Sequence, residues 1–100
     1  MKLGILVNST GNLDDVIGIT KAALSKGHEV IIFTMDEGIR LLENEEYSSL
    51  SGLNGVQMSF CDHNAGKLGL KKEGLPEEIV CGSQYNNAVM HHNADKVIVL

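Results

Sequence analysis

Two kinds of apolar pattern alternate along this chain, and together they predict an α/β fold. Between the strand-like runs, apolar residues recur at three- and four-residue spacing, as they do on one side of a helix. The clearest such helix is predicted to follow a cap at Asn12 and to end near Lys26, just before Gly27. A continuous β-branched and aromatic run within residues 28–34 is typical of a strand covered on both faces in a parallel sheet, and further strands are predicted at 2–7, 56–60 and 97–100.

Shorter elements are predicted between and after these strands. Asp36 is expected to cap a short helical segment, and a second segment should stop before Gly55. A helix is predicted at 62–69, a polar excursion at 71–76 and a brief extra strand at 79–80. Ser83 is predicted to cap a final helix, with one side formed by Tyr85, Ala88, Val89 and His92.

This order of elements predicts the fold class. Strands that alternate with helices indicate a three-layer α/β/α sandwich around a four- or five-stranded, mostly parallel sheet. A chain of 100 residues comfortably forms one core, so residues 1–100 are expected to form a single domain. The first strand, helix and second strand should make a right-handed βαβ unit.

Charge and composition narrow the possible partners. The net charge is −5 and the eight basic residues are scattered, which argues against direct binding to nucleic acid. The longest apolar run, 30–33, is far too short to cross a membrane, and the amino terminus enters the first strand without a charged leader. A soluble, cytoplasmic protein is expected, with its two cysteines present as reduced thiols.

Cys61 is the main candidate for chemistry because an apolar run ends there and a polar, helix-opening stretch begins. Its sulfur should lie at the carboxyl edge of the sheet, where open α/β sheets bind ligands, and beside helix-start N–H groups that stabilise a thiolate. A protonated His63 would favour the thiolate, whereas Asp62 would disfavour it. The functional hypothesis requires a Cys61 sulfur that solvent can reach. The alternative is an ordinary buried core cysteine.

The loop after the first strand is a second candidate. Its backbone and hydroxyl groups could hold an anion, but it has neither the GxGxxG spacing nor a Walker pattern, so ordinary turn chemistry is the alternative. Pocket lining is the most that is expected of these residues and of His63; the loop residues are Asn8, Ser9, Thr10 and Gly11.

Cys81 is a possible second thiol, because it lies before another predicted helix start. It could resolve an intermediate on Cys61 through a disulfide, or it could simply pack. No metal site is predicted: thiolate and imidazole are the usual zinc ligands, but the spacing contains neither CxxC nor HxxxH among Cys61, His63, Cys81, His91 and His92. No serine has the GxSxG setting of a hydrolase.

Over nearly its whole length the chain resembles the DsrE/DsrF-like sulfur-relay family. The discriminating part of the resemblance is Cys61 with Ala65, Gly69 and Leu70 downstream. The remaining parts are more generic, and they are residues 2–7, 23–33, 35–38, 82–83 and 94–97.

This resemblance implies a function and a reacting residue. Cys61 occupies the place of the cysteine that accepts sulfane sulfur as a persulfide, by thiol exchange and without an organic cofactor. The resemblance also implies protein donors and acceptors, and assembly as a trimer or hexamer, alone or with sister subunits. Two alternatives remain open: a noncatalytic assembly subunit or small-ligand binding module of the same fold, and a two-cysteine redox switch that uses Cys61 and Cys81.

Overall fold

A five-stranded sheet forms the centre of the molecule. The structure is a computed structural model that describes residues 1–100. All neighbouring strands are parallel, in the order β4-β3-β2-β1-β5. The prediction of a mostly parallel sheet with four or five strands is confirmed. The strands are β1 (Lys2–Val7), β2 (Glu29–Thr34), β3 (Val56–Cys61), β4 (Ile79–Gly82) and β5 (Lys96–Val99).

Helices cover both faces of this sheet and make the three-layer sandwich. Side chains of successive strand residues point to opposite faces, so each face packs against its own set of helices. The helices are α1 (Leu13–Ser25), α2 (Glu45–Ser48), α3 (Asp62–Leu68) and α4 (Gln84–Asn93), and two 3-10 helices span Asp36–Glu43 and Ser49–Gly52. The predicted boundaries of the longer elements agree with these to within about two residues.

One face of the sheet carries most of the core. Strand residues such as Ile5, Ile32 and Phe60 pack there against α1, α2, α3 and the first 3-10 helix, through Val16, Tyr47, Ala65 and Leu42 among others. This cluster of 15 buried residues is called the large core. The opposite face, crossed by α4, holds a small core of three buried residues, which are Phe33, Cys61 and Met90.

The central strand explains why the sequence predicted a parallel sheet. β2 pairs with β1 on one side and β3 on the other. Val30, Ile32 and Phe33 are fully buried, on both faces of the sheet. A strand in this position has no solvent face, so its apolar residues do not alternate with polar ones.

Two helix starts differ from the prediction. Asn12 precedes α1, but its side chain does not cap the helix; its Nδ2 donates to the carbonyl of Leu100 at 3.1 Å. Asp36 is the first residue of the 3-10 helix rather than its cap, and its φ is +49°. Both residues follow the carboxyl end of a strand, where tertiary partners compete with local capping.

The start of α4 was predicted correctly. The Ser83 hydroxyl accepts from the N–H of Tyr85, and the Asn86 side chain accepts from the N–H of Ser83, which completes a capping box. However, Tyr85 is 74 % exposed whereas Met90 is 1 % exposed. The side that carries Tyr85, Ala88, Val89 and His92 is therefore mostly exposed, with only Val89 half-buried, because α4 crosses the sheet on its Met90 side.

Gly38 allows the first 3-10 helix to pass close to the end of β1. A Cβ atom at this position would lie 2.5 Å from the carbonyl oxygen of Val7. Any side chain would therefore displace the backbone. The close approach holds the segment after β2 over the carboxyl edge of the sheet, where the candidate site lies.

Candidate functional site

Cys61 lies where the sequence predicted it. It is the last residue of β3 and immediately precedes α3, with an extended backbone at φ −81° and ψ 111°. In a parallel sheet the carboxyl ends of all strands meet at one edge, and ligands bind in the crevice beyond it. The strand-to-helix position of this cysteine is therefore confirmed.

The exposure of Cys61 differs from the expectation. Only 3 % of the residue is exposed, and it packs with Phe33 and Met90 in the small core. Met35 is half-buried against the same cluster. The expectation that solvent reaches this sulfur is wrong for this structure, because the cysteine points under α4 and not out of the crevice. Strand alternation places it on the Phe33 face, since Phe60 pairs with Thr34 on the other face.

Cys81, in contrast, is exposed. It lies on β4, where it pairs with Phe60, while Gly82 pairs with Cys61. Registered partners in a sheet point to the same face, so the side chains of Cys61 and Cys81 point to opposite faces. A disulfide between them would require the backbone to move, because disulfide geometry tolerates little error. This arrangement argues against a redox pair made of these two cysteines.

The Cys81 thiol lies beside an ion pair that the sequence did not predict. Asp62 from α3 and Lys72 from the loop after it form a salt bridge, and both side chains are about half exposed. The charges of both side chains act on the Cys81 thiol. Lys72 lies in the predicted polar excursion, which does expose charge, but its partner could not be read from the sequence spacing.

These three groups shift one another's protonation. Lys72 holds the pKa of Asp62 below its ordinary value, mainly through their hydrogen bond, and Asp62 in turn raises the pKa of Lys72. Partial burial raises the pKa of the Cys81 thiol, and the charge of Asp62 raises it further, whereas Lys72 lowers it. Asp62 thus stabilises the neutral thiol, while Lys72 favours the thiolate.

The loop after β1 does not line a cavity. The Ser9 hydroxyl donates to the carbonyl of Leu100 at 2.8 Å, beside the bond from Asn12. None of the predicted pocket residues Asn8, Ser9, Thr10, Gly11 and His63 lines any of the five cavities. The loop is instead hydrogen-bonded to the residue that follows the last strand, so some of its polar groups already have partners within the protein.

A cavity of about 340 Å³ does lie at the carboxyl edge of the sheet, beside the segment that follows β2. Asp36, Asn64 and Lys67 line it, together with Glu37 and Leu68. The N–H of Asp36 donates to the Asn64 side chain at 3.1 Å, which holds its left-handed backbone in place. The strand-end rule that singled out Cys61 applies equally to Asp36 after β2, and could have found this cavity.

The remaining candidates stay apart. His91 bonds through Nδ1 to the carbonyl of Asn87 at 2.9 Å, one turn earlier on α4. No three His, Cys, Asp or Glu side chains are grouped in a way that could hold a metal ion. None of the helices is both long enough and apolar enough to span a bilayer.

Comparison with solved structures identifies the fold. The chain matches the crystal structure of the ychN protein from E. coli with a TM-score of 0.79, over the full length of both chains. The two proteins share one fold. Their sequences are 14 % identical, so the likeness to ychN concerns the architecture alone. No family model matches the sequence, and a search of curated proteins gives no match.

Within this ychN-like architecture, the two thiols of the chain occupy different environments. Cys61 is enclosed by apolar side chains on the α4 face, and Cys81 is exposed beside Asp62 and Lys72 on the other. One thiol is therefore shielded from solution and the other is open to it.

Proposed function

We propose that this protein is a sulfur-relay-type protein that accepts sulfane sulfur as a persulfide on Cys61 and passes it to a partner protein. The observation that carries the proposal is the position of Cys61 at the end of β3, directly before α3, on the carboxyl edge of an all-parallel sheet. The match to a full-length solved structure supports the architecture on which the sequence resemblance to sulfur-relay proteins depends.

The proposed reaction is a thiol exchange. The Cys61 thiolate attacks the terminal sulfur of a donor persulfide, R–S–SH, so that a Cys61–S–SH bond forms while the donor S–S bond breaks and R–S⁻ leaves. The leaving thiolate takes up a proton from solvent. Sulfane sulfur is neither oxidised nor reduced in this step, so no organic cofactor is required.

The burial of Cys61 gives the proposal a specific requirement. Phe33 and Met90 pack with Cys61 in the small core, and the half-buried Met35 packs against this cluster. Methionine side chains are flexible and change rotamer readily. We propose that a donor protein displaces these methionines on docking, and that the apolar enclosure afterwards protects the persulfide from thiols in solution. Donor and acceptor are expected to be proteins, and the relay is expected to work in the cytoplasm as a homo-oligomer or with sister subunits.

The test is intact-mass measurement after incubation with a sulfane-sulfur donor. Wild type should gain the mass of one sulfur atom, Cys61→Ser should gain none, and Cys81→Ser should behave as wild type. An unmodified wild-type protein, or a gain that Cys81→Ser abolishes and Cys61→Ser does not, would contradict the proposal. Circular dichroism of each variant verifies that the fold is retained.

The burial itself favours a second candidate function, a noncatalytic assembly subunit or small-ligand binding module of the same fold. In that case Cys61 is only a packing residue of the small core. Alkylation in the folded state separates the two functions. A Cys61 that reacts only as fast as the whole protein unfolds supports the assembly subunit, whereas faster reaction through local opening supports the relay.

A further inference from the structure

A groove runs along one side of α4, between this helix and the sheet. Its inner part is a cavity of about 130 Å³ enclosed by α4, β3 and β4, and its outer part is a cavity of about 380 Å³ at the amino edge of the sheet. The two cavities adjoin, since Ile31, Gln57 and Asn93 line both of them. Together they are called the α4 groove.

The inner end of the α4 groove reaches the small core. Ser59 lines it from β3 and pairs with Phe33, so strand alternation places Ser59 on the same face of the sheet as Cys61, two positions further along. Met90 lines the groove from α4 and also packs with Cys61 and Phe33. Met90 therefore borders both the groove and the small core that encloses Cys61.

We propose that the α4 groove is the route by which a small, uncharged hydropersulfide, R–S–SH with a short R group, reaches Cys61. This inference rests on the persulfide function proposed above, and it adds a way to load Cys61 without a docked donor protein. Only the side chain of Met90 has to move aside, and an unbranched methionine side chain changes rotamer readily.

The lining of the groove selects for small size and for the absence of charge. No ionisable side chain lines the inner cavity, where the polar groups are one hydroxyl and three amides, those of Ser59, Gln57, Asn86 and Asn93. A charged molecule that enters such a cavity loses its hydration and gains no opposite charge. The same filter keeps large, charged thiols such as glutathione away from the persulfide on Cys61.

The transfer through this route balances as a thiol exchange. The Cys61 thiolate attacks the terminal sulfur of R–S–SH, a Cys61–S–SH bond forms, and the S–S bond of the small donor breaks. The leaving R–S⁻ takes up a proton from water, in place of the one that the Cys61 thiol released, and departs as R–SH. The number of S–S bonds is unchanged, so the step needs no separate oxidant or reductant.

The first test compares neutral and charged thiol reagents on folded Cys81→Ser protein, in which Cys61 is the only thiol. The reagents are methyl methanethiosulfonate, its anionic sulfonatoethyl analogue and its cationic trimethylammonioethyl analogue, and each rate is divided by that of the same reagent with 2-mercaptoethanol. The neutral reagent should be favoured over both charged ones by about tenfold or more. The net charge of −5 alone would instead favour the cation.

Variants of α4, made in the same Cys81→Ser protein, test the groove itself. Val89→Phe places a larger side chain at the inner cavity and should slow the neutral reagent by about fivefold or more. Ala88→Phe, at the neighbouring exposed position, is the matched control and should leave this rate unchanged. Met90→Ala should speed the neutral reagent more than the charged ones, whereas general unfolding would speed all three alike. Circular dichroism verifies the fold of each variant.

The second test follows sulfur uptake by intact mass. Methyl hydropersulfide should add one sulfur atom to Cys61, at least about tenfold faster than glutathione hydropersulfide does. Equal normalised rates for the three thiol reagents, or a neutral rate that neither Val89→Phe nor Met90→Ala changes, would overturn the groove route. Selective reaction of the neutral reagent without any sulfur gain would instead overturn the relay function proposed for Cys61, so the two failures are distinct.

Discussion

The large core is covered by α1, α2, α3 and the 3-10 helices, whereas only α4 crosses the face that holds the small core. Fifteen buried residues stabilise the first face and three the second. On the α4 side, Val80 is 52 % exposed and a cavity of about 130 Å³ remains between β3, β4 and the helix. The difference indicates that the large core provides most of the stability. The α4 face can open locally at a small cost in free energy, and such an opening is what uncovering Cys61 requires.

Truncation of one side chain on each face gives the largest expected effect. Phe60 is 2 % exposed in the large core, and Phe60→Ala should lower the free energy of unfolding by about 3–5 kcal/mol because it leaves a cavity. Val80→Ala, on the opposite face of the sheet, should change it by less than about 0.5 kcal/mol. Urea unfolding measures both values. Equal losses would mean that the faces contribute similarly.

The two cysteines provide the next comparison. Cys61→Ser places a hydroxyl among Phe33 and Met90 and should cost about 1–3 kcal/mol, because the apolar side chains of the small core offer it no hydrogen bond. Cys81→Ser is exposed and should be neutral within about 0.5 kcal/mol. Thermal or urea unfolding reports the difference. A neutral Cys61→Ser would indicate that water already enters the small core.

The polar contact inside the large core should have a moderate effect. The hydroxyls of Tyr47 and Thr34 lie 2.6 Å apart and both residues are fully buried; this burial raises the pKa of Tyr47, so the phenol stays neutral. Tyr47→Phe leaves Thr34 without its partner and should cost about 1–2 kcal/mol. Tyr85→Phe, on exposed Tyr85 of α4, is the matched control and should leave the urea midpoint unchanged.

The smallest effect concerns the Asp62–Lys72 pair. Lys72 lowers the pKa of Asp62 in the folded protein, so the contribution of the pair is present above the unfolded-state pKa of the carboxyl and is lost as pH falls through the folded-state pKa. Melting temperature should therefore differ slightly between wild type and Asp62→Asn near neutral pH and converge in acid. Glu37→Gln, which removes the Glu37–Arg40 pair, is the comparison for an ordinary exposed ion pair.

The sequence was sufficient to predict the elements, because each depends on nearby residues. The β2 run and the Ser83 capping box are local patterns with direct physical causes. The exposure of Cys61 could not be predicted in this way, because it depends on which side of α4 lies on the sheet. Met90 occupies that side, while the apolar Tyr85 faces solvent.

The same reasoning applies to the candidate site. The strand-end rule located Cys61 correctly and would also have located Asp36. The Asp62–Lys72 pair, however, joins the first residue of α3 to a residue 10 positions later, in the irregular loop that follows the helix. Sequence periodicity carries no information about such a loop, so the environment of Cys81 became apparent only with the structure.

The strand order has a consequence for synthesis on the ribosome. β1 pairs with β5 as well as with β2, and the N–H of Lys2 bonds to Asp95, 93 positions later in the chain. As the chain emerges, β1 can join β2 early, but its other edge stays open until β5 has been synthesised. Because late, long-range pairing is slow and an unpaired edge is prone to aggregation, this nascent chain should benefit from a chaperone that shields β1.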